Sequence, residues 1–245
     1  MSIWVGTSGY NYPEWRGSFY PPKLATTKML PFYAEHFDTV EINATFYRAP
    51  TEKSLQGWSA ATPDAFKLTL KAPKRITHDA RLRDCADLTR YFLDTAVKLG
   101  PKLGVLLFQL SPYFKRDLAV LDEFLALFPP GVRAAFEFRH ESWLDDEIYA
   151  RLEARNLALC IADNESSTIP VVMTADYAYF RLRDEGYAPA DITRWADTLQ
   201  RSTAGCGDVF VYFKHEEAGK GPQFARALLD VLGKQRTEQR EASSS

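Results

Sequence analysis

Strand-like apolar runs alternate with helical patterns along the whole chain, and this alternation constrains the fold more than any other feature. Eight runs bounded by turn-forming residues are predicted strands near residues 3–7, 38–45, 66–71, 103–109, 133–139, 157–163, 177–183 and 208–214. Predicted helices cover residues 28–36, 52–61, 84–99, 116–128, 146–155, 190–201 and 222–232, whereas the pattern of 164–176 is weak. Eight strand-helix units in 245 residues predict an α/β fold, a single (β/α)8 TIM-barrel-like domain with parallel strands.

The composition is that of an ordinary globular chain, with a net charge of only -2. No apolar run approaches the roughly 20 residues of a membrane span, and the first residues lack the features of a secretory signal. We therefore expect no membrane segment and a cytoplasmic location. The barrel domain is predicted to cover residues 1–233, and the polar residues 234–245 are predicted to form a disordered tail. The sequence leaves the oligomeric state open.

Polar side chains lie at the carboxyl ends of the predicted strands, where a barrel of this type carries its active site. Side chains alternate between the two faces of a strand, so Glu137 and Arg139 share the face opposite to Phe136 and Phe138. The same alternation and the neighbouring loops assign to this site Glu41, Asn43, Lys71, Gln109, Trp143, Asp163, Arg181, Arg183 and Lys214. Because they converge from many strands, we predict a ligand site rather than a set of unrelated packing contacts.

The charges in this set indicate the kind of ligand. The acids are Glu41, Glu137 and Asp163, and the lysines and arginines outnumber them. A surplus of cations favours an anionic ligand such as a phosphate or a carboxylate, which arginine can bind through two parallel hydrogen bonds. With only four histidines in the chain and few carboxylates, no metal site is predicted. The residues indicate no particular cofactor.

Acid–base chemistry is the reaction type that these residues favour. Glu41 and Glu137 lie on the second and fifth predicted strands and could face each other across the barrel. Nearby cations would keep one carboxylate ionised as a base, while a more buried partner keeps its proton. His78 is a further candidate proton carrier. The leading hypothesis is an enzyme that acts on a phosphorylated small molecule or a nucleic-acid fragment.

Three alternatives remain open on the sequence alone. The two glutamates could be a glycosidase pair, for which the separation of the carboxyl groups is decisive. The basic stretch of residues 71–83, together with loop aromatics, could bind nucleic acid without catalysis. A metal-dependent nuclease is the least supported alternative, because carboxylates are scarce. Whether the protein is an enzyme is itself undecided.

Four separated motifs carry a resemblance to a known family. They occupy residues 4–20, 40–47, 76–78 and 138–143, the last reading Phe-Arg-His-Glu-Ser-Trp. Together they resemble the YecE-like family, a domain family of unknown function. The resemblance covers nearly the whole chain and implies a TIM-barrel-like fold, in agreement with the strand count. It implies no established activity.

Overall fold

Eight parallel strands form a closed barrel in the computed structural model, which describes residues 1–164, 167–184 and 186–242. The strands are β1 (Ser2–Ser8), β2 (Thr39–Ile42), β3 (Lys67–Lys71), β4 (Leu103–Gln109), β5 (Ala134–Glu137), β6 (Ala158–Asn164), β7 (Ser167–Thr168), β8 (Tyr177–Leu182) and β9 (Asp208–Phe213). The two-residue β7 is antiparallel to β6 and lies outside the barrel. Each other strand pairs with its neighbours in parallel, and pairing of β5 with β6 and of β1 with β9 closes the ring. The predicted (β/α)8 architecture is confirmed.

Helices follow the barrel strands except in the connection from β6 to β8, where the described residues contain β7 and no helix. They are α1 (Met29–Ala34), α2 (Ala44–Tyr47), α3 (Glu52–Ala60), α4 (Ala86–Ala96), α5 (Leu118–Leu125), α6 (Asp146–Glu153), α7 (Pro189–Ser202) and α8 (Lys220–Ala242). Local sequence fixes several of their starts: Asp117 and Asp145 accept hydrogen bonds from the first-turn amides of α5 and α6, and Pro189 begins α7. Among the described residues, no helix combines the length and apolar character needed to cross a membrane.

The barrel has a packed interior and not an open channel. An inner cluster of buried side chains fills the barrel below the carboxyl ends of the strands and includes Leu107, Tyr179 and Tyr212. A second cluster lies between the strands and the helices. Gly6 on β1 lets β2 come close, because a Cβ atom at this position would lie 2.2 Å from the carbonyl oxygen of Thr39. The charged side chains Glu41, Glu137 and Arg181 lie toward the carboxyl ends of their strands, above this inner cluster.

Two strands end earlier than the sequence predicts. Strand β2 stops at Ile42, because Asn43 has helical backbone angles (φ -85°, ψ -18°) and precedes α2. Strand β5 stops at Glu137 instead of continuing to residue 139. Asn43 and Arg139 thus lie in the loops that follow these strands, so strand alternation does not determine where they point.

Helix α8 extends beyond the predicted domain boundary at residue 233 and ends at Ala242. Lysine, glutamine, arginine and glutamate, which dominate this stretch, have high helix propensity, so the polar composition read as a tail is also compatible with helix. Residues 243–245 lie outside the described residues, as do 165, 166 and 185. The domain boundary itself stays a prediction.

Candidate active site

Arg181 lies between the two glutamates that the sequence placed in the site. Its Nε and Nη2 atoms each donate to Glu41, both at 2.9 Å, and its Nη1 atom donates to Glu137 at 2.6 Å. All three side chains are fully buried. We call these three residues the ion-pair network. The guanidinium group occupies the space between the two carboxylates and donates some of the hydrogen bonds that each carboxylate accepts.

Neutral side chains complete the hydrogen bonding of the ion-pair network. Ser8 and Tyr179 donate their hydroxyl protons to the two oxygens of Glu41. Gln109 donates to both oxygens of Glu137, each at 2.9 Å. Both oxygens of Glu41 and Oε2 of Glu137 therefore accept two hydrogen bonds each, whereas Oε1 of Glu137 accepts one from Gln109 and lies 3.7 Å from Nη1 of Arg183.

Both glutamates are ionised at neutral pH. Burial raises the pKa of Glu137, but the positive charges of Arg181, Arg183 and Lys71 outweigh it and bring that pKa to about 2. Burial likewise raises the pKa of Glu41, and Arg181 with its hydrogen bonds lowers it below the ordinary value. The expectation that one of the pair keeps its proton does not fit this environment, since the shared arginine favours the charged form of both.

Lys71 is held by neutral partners. Its Nζ atom donates to Oε1 of Gln109 at 2.9 Å and lies 4.1 Å from the centre of the Phe46 ring. Burial lowers the pKa of Lys71, and with the nearby positive charge of Arg181 brings it to about 8. Lys71 can therefore exchange a proton near neutral pH, which the two glutamates cannot.

His78 lies close to Lys71, on a single π-helical turn after β3 (Arg75–Asp79). Its ring meets the Phe46 ring edge to face, with centroids 5.0 Å apart, and its Nδ1 atom is 2.9 Å from the hydroxyl of Thr77. Burial lowers the pKa of His78, and the charge of Lys71 lowers it further. The imidazole is therefore mainly neutral at pH 7 and can accept a proton.

Two cavities open beside the ion-pair network. The first cavity, of about 340 Å³, is lined by Gly9, Tyr10, Asn11, Tyr12, Ile42, Asn43, Ala44, Phe46, Tyr47, Trp58, Lys71, Lys214 and Glu216. The second cavity, of about 440 Å³, is lined by Pro112, Glu137, Phe138, Arg139, His140, Glu141, Leu144, Ala162, Ile169 and Arg183. Each holds cations that the sequence assigned to a ligand site, so the predicted cationic character is divided between two neighbouring spaces.

Asn43 and Lys214 face the first cavity. The Nδ2 atom of Asn43 donates to Ser8 at 2.9 Å, and its buried Oδ1 atom has no hydrogen-bond partner in the described part of the chain. Lys214 is partly exposed and lies 4.0 Å from Glu216. Burial lowers the pKa of Lys214, as does the charge of Arg181. This wall thus offers a ligand one partly exposed cation, and beneath it lies one buried acceptor without a partner in the described residues.

Asp163 and Trp143 make structural contacts outside the ion-pair network. Asp163 accepts a hydrogen bond from the backbone of Arg183 at 2.7 Å and another from the hydroxyl of Tyr187, so it fixes the loop after β8. Trp143 is completely buried: its Nε1 atom donates to the carbonyl oxygen of Phe114 at 2.6 Å, and neither cavity contains it. The structure does not bring these two residues together with Glu41, Lys71 and Arg181.

Sequence reasoning missed Tyr179 and gave Ser8 no role. Tyr179 shares a strand face with Arg181, because the two are separated by one residue on β8, so alternation could have found it. Ser8 pairs in register with Glu41 across β1 and β2, which becomes visible only once the register is known. Within the described residues, no group of three or more histidine, cysteine or acidic side chains is arranged to hold a metal ion.

Comparisons with known proteins match nearly the whole chain to one family. The family model described as "Protein of unknown function DUF72" matches residues 4–245. The UPF0759 protein YunF of Bacillus subtilis is 26% identical in an alignment 269 positions long, gaps included, that covers 94% of each chain. The UPF0759 protein YecE of Escherichia coli K12 is 34% identical over 139 residues, 56% of this chain and 48% of that protein.

A similar barrel is known from crystallography. A DUF72 family protein from Thermotoga maritima superposes with a TM-score of 0.86 at 24% identity, covering 95% of this chain and 100% of the other. A second one, from Enterococcus faecalis, gives a TM-score of 0.79 at 18% identity and covers 94% of this chain and 95% of the other. At these identities the likeness concerns the fold alone.

Proposed function

The chain belongs to the DUF72 family of proteins of unknown function, so we infer its activity from the site. We propose that it binds a phosphate-bearing small molecule at the carboxyl ends of the strands and transforms this molecule by acid–base chemistry. The observation that carries this proposal is the distribution of charge. Glu41 and Glu137 are bonded to Arg181, whereas Lys71 and Arg139 form no ion pair within the described residues. Cations without a carboxylate partner at cavity walls favour an anionic ligand.

Lys71 and His78 are the proton carriers in this proposal. Glu41 and Glu137 hold Arg181 in place, and their low pKa values make them poor acids. Lys71 exchanges its proton near pH 8 and lines the first cavity. The two glutamates therefore position the site, and the chemistry is assigned to the lysine and the histidine.

A small molecule fits better than the alternatives. The cations line cavities of about 340 and 440 Å³, which suit a compact ligand. A glycosidase pair needs a sugar between the two carboxylates, and the guanidinium of Arg181 occupies that position. The net charge of -2 gives no general attraction for nucleic acid.

Isothermal titration calorimetry with inorganic phosphate and with glycerol 3-phosphate tests this proposal. We expect saturable binding that weakens as sodium chloride is added, because the attraction is screened. Arg139→Ala should lower the affinity by about tenfold, since a hydrogen bond to a charged group is lost. Arg90→Ala, which alters an exposed ion pair with Asp87, is the control and should leave the affinity unchanged. Absence of phosphate binding at millimolar concentration would refute the proposal.

A further inference from the structure

We propose that the amino group of Lys71 forms a Schiff base with a carbonyl group of the ligand, so that the site acts on phosphorylated aldehydes or ketones. This inference rests on the proposed function, because the same cavities have to bind the phosphate. Its basis is the position of one lysine relative to the first cavity, the ion-pair network and His78.

The surroundings of Lys71 differ from those of a structural lysine. Lys71 and Lys102 are both 8% exposed. The Nζ atom of Lys102 donates to two backbone carbonyls, of Ser59 at 2.7 Å and of Thr62 at 2.8 Å, and it lies 3.8 Å from a carboxylate oxygen of Asp64. The Nζ atom of Lys71 has one amide partner, the Phe46 ring and the first cavity. Burial alone therefore does not distinguish Lys71, but the absence of an ion pair within the described residues does.

Positive neighbours favour the neutral amine. Arg181 is fixed by the ion-pair network, and Lys214 lines the same cavity. Together with burial they bring the pKa of Lys71 to about 8. At pH 7 about a tenth of the lysine is then the neutral nucleophile, compared with well under a hundredth for an ordinary lysine. Desolvation and a neighbouring cation are the two usual ways in which proteins activate a lysine for attack on a carbonyl.

The chemistry requires no oxidant or reductant. The lone pair of Nζ attacks the carbonyl carbon, the carbon–nitrogen bond forms, and the π electrons move to the oxygen. His78 carries the two protons that nitrogen loses to the oxygen: the first gives the carbinolamine hydroxyl, and the second lets this hydroxyl leave as water while the nitrogen lone pair forms the carbon–nitrogen double bond. Amine and carbonyl compound thus give imine and water. Placement of His78 and Lys71 around the same Phe46 ring supports this division of roles.

Reductive trapping tests the inference. The intact protein is incubated with glyceraldehyde 3-phosphate and sodium cyanoborohydride, and the modified residue is identified by peptide mass spectrometry. We expect Lys71 to be labelled more than about tenfold faster than the exposed Lys98, because burial beside the first cavity and the neighbouring Arg181 favour the neutral amine of Lys71. Lys102 is the matched control of equal burial and should remain unlabelled. Labelling of Lys71 should increase with pH with a midpoint near 8.

Further arms separate the inference from the proposed function. Lys71→Arg retains the positive charge but has no primary amine, so it should fold and lose the rapidly formed adduct. If phosphate binds and Lys71 is labelled no faster than Lys98, the inference is wrong and the proposed function stands. If no phosphate binds and glyceraldehyde labels Lys71 as fast as its phosphate ester does, the proposed function is wrong, and Lys71 is a nucleophile for uncharged carbonyl compounds.

Discussion

Arg181 and Glu41 form a two-pronged ion pair in the barrel interior, with both hydrogen bonds at 2.9 Å and neither side chain exposed to solvent. Burial of two charges costs free energy that their attraction only roughly offsets, so such a pair contributes little net stability. Removal of one partner of the pair is strongly destabilising, because the other charge would then be buried without a counter-ion. The pair therefore determines the geometry of the site more than it stabilises the fold.

Replacement of Arg181 by methionine should lower the free energy of unfolding by about 3–5 kcal/mol, because it leaves Glu41 and Glu137 buried without their counter-ion. Urea unfolding followed by circular dichroism measures the change. Arg90→Ala, at an exposed ion pair, should change it by less than about 1 kcal/mol. Equal effects of the two substitutions would contradict the assigned network.

The stability of the protein should depend on Glu137 at acidic pH. Its pKa of about 2 in the folded protein lies below the ordinary 4.5, so its contribution is complete above pH 4.5 and is lost as the pH falls to 2. Urea unfolding at a series of pH values should show the free-energy difference between wild type and Glu137→Gln shrinking across this window, by an amount on the order of 3 kcal/mol. A difference that is constant with pH would show that Glu137 is not held ionised.

Two glycines should respond in opposite ways to alanine. Gly6→Ala should destabilise the protein by about 1–3 kcal/mol or more, because the new Cβ atom would lie 2.2 Å from the carbonyl oxygen of Thr39 and force β1 and β2 apart. Gly57→Ala, on helix α3 with open space around the new atom, should stabilise it by about 0.5–1 kcal/mol. Thermal unfolding of both variants gives the comparison. A tolerated Gly6→Ala would mean that the two strands are not so closely spaced.

Trp143→Phe should affect stability and not ligand binding. The substitution removes the hydrogen bond to Phe114 and some packing, for a loss of about 2–3 kcal/mol. Because neither cavity contains Trp143, the phosphate affinity measured by calorimetry should stay within about twofold of wild type. A tenfold loss of affinity in a variant of normal stability would return Trp143 to the binding site.

Alternation along the strands accounts for most of the correct part of the prediction. It oriented Glu41, Gln109, Glu137 and Arg181 inward, because a side chain within a strand has only two directions available. The count of eight strands followed from the spacing of apolar runs. These are local properties of the sequence, and they persist in the folded chain.

The remaining features depend on contacts between distant residues. Strand β2 ends at Ile42, and the hydroxyl of Thr45 bonds there to the carbonyl oxygens of Ile42 and Lys71, the latter on the next strand. The ring of Trp143 is buried, and its Nε1 atom donates a hydrogen bond to a carbonyl oxygen 29 residues earlier. That both glutamates share one arginine follows from the register and curvature of a closed barrel, which no local pattern encodes.

The ion-pair network also affects the order in which the chain can acquire its structure. Glu41 lies 140 residues before Arg181, and Glu137 lies 44 residues before it. During synthesis the first five barrel strands emerge with both carboxylates and without the guanidinium. A partial barrel of these strands would have to bury two repelling carboxylates or leave its interior hydrated. Neither arrangement is a stable folding intermediate. We therefore expect the barrel to fold in one cooperative step that waits for β8.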